Sequence, residues 1–231
     1  MKISKNNNKY VCPVSDSDCR NLSKGLVKSI ENIEKEFIEG FQFVSGLKRG
    51  VAVFGSARVS PNSSYYKKAK ELASMLGKEN FTIVTGGGPG IMEAANHGAY
   101  EAGGESLGFN IIIPRGQKYN AYVKRGMQFN YFFSRKVMFT AISDYYVFFP
   151  GGFGTLDEFF EMVNLVHNRK INNPPLLIVV GKNYWQPLFD WLKETVYKKY
   201  RAIDRSDFDL VHIVNSPKEA FEIICKKHNK K

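Results

Sequence analysis

Two glycine-rich turns, each set between a strand pattern and a helix pattern, constrain this chain more than any other feature: Thr85-Gly86-Gly87-Gly88-Pro89-Gly90 and Pro150-Gly151-Gly152-Phe153-Gly154-Thr155. The first follows a short apolar run at 81–84 and opens a helical pattern at 90–102; the second follows 145–149 and opens one at 155–167. Glycine lets the backbone turn sharply and approach a phosphate closely, while the free N–H groups and dipole of the following helix supply positive potential. The same strand, turn, helix alternation repeats along the chain. Strands are expected at 51–55, 81–84, 106–113, 127–130, 145–149, 176–180 and 210–214, and helices at 62–78, 90–102, 132–142, 155–167, 184–197 and after Pro217. Such alternation predicts an α/β fold, a doubly wound parallel sheet with helices on both faces and ligands at the carboxyl ends of the strands.

Upstream, Leu22, Leu26, Ile30, Ile33, Phe37 and Phe41 recur every three or four residues, so an amphipathic helix is expected over 21–46, with a packing role. The 231 residues suit a single nucleotide-binding domain over 21–225, preceded by a flexible segment at 1–20 and followed by a basic tail at 226–231. The segment 114–124, with its proline, glycine and asparagine, reads as a functional loop or lid. Apolar runs such as 145–150 and 174–180 are far too short to cross a bilayer, and the start of the chain lacks an apolar signal region, which makes a cytoplasmic location the expectation. Cys12, Cys19 and Cys225 have neither zinc-site spacing nor a complete disulfide framework, and read as ordinary thiols.

The formal charge of +11 invites a nucleic-acid partner, but its distribution argues against one. Seven lysines lie in residues 1–10 and 226–231, which hold no acids, and the rest of the chain carries only +4. A moderately basic body equally suits attraction of small phosphorylated metabolites.

Neither glycine turn ends in the Gly-Lys-Ser/Thr of an ATPase loop, and neither matches the dinucleotide fingerprint well. The residues after the second turn point elsewhere. Glu158, three residues past Thr155, is expected in the first turn of its helix, either as part of a capping box or as a working carboxylate. Glu161 lies one turn on, at a spacing that can share its face. Arg135 and Lys136, in the apolar helix that feeds the 145–149 strand, read as an anion clamp rather than a snorkelling surface pair. His167, at the far end of the Glu158 helix, reads as a surface or interface histidine.

The run Tyr131-Phe132-Phe133-Ser134-Arg135-Lys136-Val137-Met138 followed by Pro150-Gly151-Gly152-Phe153-Gly154-Thr155-Leu156-Asp157-Glu158 closely resembles the paired Arg-Lys and PGGxGTxxE motifs of the cytokinin riboside 5′-monophosphate phosphoribohydrolases, whose members also carry the label lysine decarboxylase-like. The likeness extends to Val53-Phe54-Gly55-Ser56-Ala57-Arg58, to Thr85 through Asn96, and to Ile113-Pro114 with Gln117 and Asn120, covering about residues 50–215. It implies a Rossmann-like fold and hydrolysis of the bond between base and ribose in a nucleoside 5′-monophosphate, with no cofactor and no metal. By this resemblance Glu158 and Arg135 form the catalytic pair, and Gly151, Gly152, Gly154 and Thr155 hold the 5′-phosphate. Gly87, Gly88, Glu93, Lys136 and Glu161 complete the expected substrate contacts, Glu93 as a partner for ribose hydroxyls. The chemistry suits such residues: N-glycosidic cleavage passes through an oxocarbenium-like state, and a carboxylate near the anomeric carbon can stabilise positive charge and activate water. The first 45 or so residues and the segment 164–170 depart from the family pattern, which leaves the preferred base open.

A true amino-acid decarboxylase would need an electron sink such as pyridoxal phosphate on a lysine, and no lysine sits in a setting that announces this role. The main alternative is a non-catalytic nucleotide or molybdenum-cofactor carrier, because fold and glycine loops do not decide function. A homodimer, or a multiple of one, is expected from the helix after Glu158, which is apolar on more than one side through Phe159, Phe160, Met162, Val163, Leu165 and Val166.

Overall fold

The computed structural model describes residues 24–113, 118–171 and 173–229. The expectations for 1–20, Cys12, Cys19, Pro114, Gln117 and the last two lysines lie outside the described residues. Among the described residues, fifteen stretches of helix or strand follow the N-terminal helix α1 (Lys24–Val44): β1 (Gly50–Phe54), α2 (Ser64–Lys78), β2 (Thr82–Thr85), α3 (Ile91–Glu101), β3 (Ser106–Ile111), β4 (Arg125–Phe129), α4 (Phe132–Ile142), β5 (Ser143–Phe148), α5 (Phe153–His167), β6 (Leu176–Val180), α6 (Lys182–Trp191), a π-helical continuation (Leu192–Lys199), a 3₁₀ segment (Arg205–Leu210), β7 (Val211–Val214) and α7 (Pro217–His228).

All neighbouring strands run parallel, in the order β4-β3-β2-β1-β5-β6-β7. The chain builds outward from β1 through β2, β3 and β4, then returns to add β5, β6 and β7 on the other side of β1. The reversal leaves a crevice at the carboxyl ends of β1 and β5, the topological switch point where sheets of this kind bind ligands. Alternation along the buried strands feeds two cores. Val51, Val53, Tyr145, Val147 and Phe149 point to the face covered by α2, α3 and α7, and Ala52, Phe54, Tyr146 and Phe148 to the face that holds Phe139, Phe159 and Trp185.

Helices α2 and α3 meet at backbone distance because Gly98 has no side chain. A Cβ there would fall on the Lys70 carbonyl oxygen and come within 2.9 Å of the Ser74 nitrogen, both backbone atoms of α2. Gly98→Ala is therefore expected to force the helices apart and to cost about 2–3 kcal/mol, lowering Tm by roughly 5–10 °C. A thermal melt superimposable on that of the parent would contradict this reading of the helix contact.

Three boundaries differ from expectation for physical reasons. Helix α5 begins at Phe153 with Gly152 as its N-cap, so part of the glycine turn is already helical and Glu158 sits in the second turn. No side chain caps α5, which removes the capping-box reading of Glu158. Helix α6 carries Pro187 within it and passes into a π-helix from Leu192, where a continuous α-helix over 184–197 had been expected. Finally, α7 runs to His228 on a Ser216 cap, so the first residues of the expected basic tail belong to a helix.

Candidate active site

Three strand-end loops converge at the switch point. The Ser56 N–H donates to the Pro150 carbonyl at 3.0 Å, and the Ile91 N–H donates to the Ser56 carbonyl at 3.1 Å, so the loop after β1 is tied to the loops after β5 and β2. Gly90 is a glycine of necessity: its φ is 69°, and a Cβ would fall on the Ser56 carbonyl oxygen. Gly151 is packed as closely, since a Cβ there would occupy the place of the Thr155 hydroxyl. Between these loops lies a cavity of about 810 Å³, a size that suits a nucleotide, lined by Gly55–Val59, Gly86, Met92, Phe132, Arg135, the 150–155 turn, Asp157, Glu158 and Tyr184.

Glu158 is buried, 7% exposed, on the cavity wall. Burial raises its carboxyl from the ordinary value of 4.5 to about 7, against the pull of Lys136 and Arg135 and with a smaller push from Glu161 and Asp157. A carboxyl near 7 exchanges protons readily at neutral pH, the property wanted in a group that must both take and give a proton. Arg135 lies on the same cavity, its Nε donating to the Phe109 carbonyl at 2.8 Å and its guanidinium 5.4 Å from the centre of the Phe139 ring. Burial pulls this guanidinium below its ordinary value, while the charge of Glu158 works the other way. At the start of α5 the Thr155 N–H already donates to the Gly152 carbonyl at 3.0 Å, which leaves the Phe153 and Gly154 N–H groups without an acceptor among the described residues, at the positive end of the helix dipole and on the cavity wall.

Glu158, Arg135, Gly151, Gly152, Gly154 and Thr155 are thus brought together on one cavity. The other expected contacts are placed elsewhere. Lys136 turns away and bridges two carboxylates of α5, Asp157 at 2.7 Å and Glu161 at 2.6 Å, so Glu161 is neutralised outside the cavity. Burial pulls down on the Lys136 ammonium, but these two partners outweigh it and hold it above its usual range. Glu93 is outside the cavity as well and accepts a hydrogen bond from the Tyr66 hydroxyl of α2 at 3.2 Å. Of the first glycine turn only Gly86 reaches the cavity. The Asn120 amide binds the carbonyls of Gly87 and Gly88 at 3.1 and 2.9 Å, and the Tyr119 ring fills the space above Gly87. His167 lies on the surface, 2.9 Å from Asp207.

Several lining residues were not singled out as contacts from the sequence. The Ser56-Ala57-Arg58 turn carries a signal that could have found it, a Gly-Ser step directly after the central strand. Tyr184, whose hydroxyl donates to the Gly151 carbonyl at 2.6 Å, carries none, because it comes from a helix more than thirty residues downstream.

Comparison with known proteins agrees with this architecture. The family model described as possible lysine decarboxylase matches residues 92–224, more than half of the chain. A probable cytokinin riboside 5′-monophosphate phosphoribohydrolase of Oryza sativa subsp. japonica is 24% identical over 188 residues, covering 80% of this chain and 74% of the relative. A cytokinin riboside 5′-monophosphate phosphoribohydrolase of Rhodococcoides fascians is 22% identical over 66% of this chain and 78% of its own length. Among solved structures, the molybdenum cofactor binding protein of Rippkaea orientalis superposes with a TM-score of 0.56 at 24% identity, over 79% of this chain and 98% of that one. The molybdenum cofactor carrier protein of Chlamydomonas reinhardtii does so with a TM-score of 0.56 at 21% identity, over 78% and 97%; both likenesses bear on the fold. With its Rossmann-like parallel sheet, its glycine turns at the switch point and a family match spanning most of the sheet, the chain belongs to the possible lysine decarboxylase family, that of the phosphoribohydrolases its motifs resemble.

Proposed function

We propose that this protein hydrolyses the N-glycosidic bond of a nucleoside 5′-monophosphate, releasing the free base and ribose 5-phosphate. The observation that carries the reading is the buried Glu158 carboxyl, raised to about 7, on the same cavity as Arg135 and the open N-terminus of α5. In this reading the 5′-phosphate docks on the 151–155 turn, and Arg135 holds phosphate or ribose oxygens in register. Glu158 faces the anomeric carbon, stabilises the positive charge that develops there and takes a proton from the water whose oxygen bonds to that carbon as the bond to the base breaks, and the proton passes on to the departing base nitrogen. Glu93 and Lys136, being engaged elsewhere, have no direct part in it.

The test is incubation with a panel of nucleoside 5′-monophosphates and chromatographic detection of the released base. A carrier, the alternative compatible with the fold, would bind without releasing base from any member of the panel. Arg135→Ala is expected to lower kcat/KM by about 100-fold, through both binding and turnover, since it removes a charge-assisted contact from a water-poor site. Unchanged kinetics would place Arg135 outside the chemistry.

On this reading the working unit is a homodimer or a multiple of one. The N-terminal helix does not cover the outer side of α5: it packs on α4 through Phe37 and Phe133, and Phe153 and Phe160 stay 93% and 40% exposed beside the site. A second subunit over this apolar surface is the expected cover. Light scattering at micromolar concentration should give at least twice the chain mass, and a fully active monomer would contradict it. Among the described residues no helix is long and apolar enough to cross a membrane.

A further inference from the structure

Helix α1 precedes the matched family region, and it carries a buried acid. Glu36 is 6% exposed, and its carboxylate reaches across to the start of α4. One oxygen accepts from the Asn130 backbone N–H at 2.6 Å and from the Asn130 side-chain amide at 2.9 Å, while the other accepts from the Ser134 hydroxyl. Burying an acid is costly unless its lone pairs are met, and three donors from one short segment meet them here. Those donors flank Tyr131, the N-cap of α4, which offers no side-chain cap of its own. A carboxylate at this end of a helix is also favoured by the dipole. Phe37, the next residue on α1, packs on Phe133, and Gly40 brings α1 so close to α4 that a Cβ would strike the Met138 side chain. Ser134 is the immediate neighbour of Arg135, whose Nε is anchored from the other side by the Phe109 carbonyl.

We infer that Glu36 is a positioning residue for the proposed base release: it locks the first turn of α4 and so holds the Arg135 guanidinium where the substrate needs it. The inference rests on the reading of the cavity as a phosphoribohydrolase site. It gives the N-terminal helix a part in the reaction, although no residue of α1 lines the cavity. A purely structural acid would affect melting but not the rate of the folded enzyme. A positioning acid affects the rate, and does so only while Arg135 is present.

The test is a double-mutant cycle with Glu36→Gln and Arg135→Ala, assayed on AMP or whichever monophosphate the parent cleaves best, well below the melting temperature of every variant. Glu36→Gln keeps the shape of the side chain but turns one acceptor into a donor that faces donors. It should lower kcat by at least about 10-fold with a smaller change in KM, and should lower it by less than about 2-fold when Arg135 is already alanine. Amide hydrogen exchange at Asn130 and over 133–136 should be at least about 10-fold faster in Glu36→Gln. An unchanged kcat, equal losses in both backgrounds, or unchanged exchange would each overturn the proposal. If Glu36→Gln folds poorly, Ser134→Ala replaces it in the same cycle, with the same outcomes. If the parent releases no base from any monophosphate, the hydrolase reading fails by itself. The cycle is then read in the Kd for AMP, and the positional link between Glu36 and Arg135 stands or falls on non-additivity there together with the exchange data.

Discussion

Replacing Glu158 by glutamine should reduce base release by 10²–10⁴-fold, the span set by loss of a positioned general acid or base, while nucleotide affinity changes little. The substitution keeps the shape of a buried side chain and removes only its charge and its capacity to take a proton. The same burial that raises this carboxyl to about 7 gives the variant a second signature. A carboxyl raised in the folded state from 4.5 contributes no penalty below pH 4.5, where both states are protonated. The penalty grows between pH 4.5 and 7, where the unfolded chain ionises while the folded carboxyl keeps its proton, and levels off above 7, where both are ionised. Glu158→Gln should therefore match the parent in stability near pH 4.5 and exceed it by about 3 kcal/mol above pH 8. Denaturant unfolding at pH 5 and pH 8 measures this difference. Since the ionised form is the working base, kcat/KM of the parent should fall tenfold per unit below pH 7. A variant as active as the parent, or a stability gap that shrinks with rising pH, would remove Glu158 from the role.

A comparably large effect is expected from the substrate's phosphate. Nucleoside 5′-monophosphates should be cleaved with a kcat/KM on the order of 10³ or more above that of the corresponding nucleosides, because a site built to satisfy an anion leaves its donors unpaired when the anion is missing. The donors here are the Phe153 and Gly154 N–H groups at the start of α5, on the same cavity as Arg135. The Gly151 backbone that shapes them is held by the Tyr184 hydroxyl and packed on Thr155 without room for a Cβ. Ribose 5-phosphate should compete with the monophosphate, and adenosine should not. Parallel progress curves for AMP and adenosine would show at once if the turn holds something other than phosphate.

The most local features of this protein could be read in its sequence. A glycine cluster between an apolar strand run and a helix pattern specifies a turn through short-range sterics alone, so both turns, the order of strands and helices, and the exact span of α4 and β6 were legible. Glu158 stood out too, because it lies three residues past the second turn, and Arg135 because it is one of a charged pair in an otherwise apolar helix pattern. What spacing could not decide was the direction of a side chain once helices were packed. Lys136 follows Arg135 in sequence, yet one helical step of about 100° turns it toward Asp157 and Glu161 instead of the cavity. Glu93 sits early on α3 but faces Tyr66, a partner that exists only when α2 docks on α3. Glu36 looked like one acid among many on an amphipathic helix, and only the crossing of α1 over α4 buries it against Asn130 and Ser134. The raised carboxyl of Glu158 is of the same kind: the residue was written in the chain, but its proton affinity comes from the water that tertiary packing removes around it.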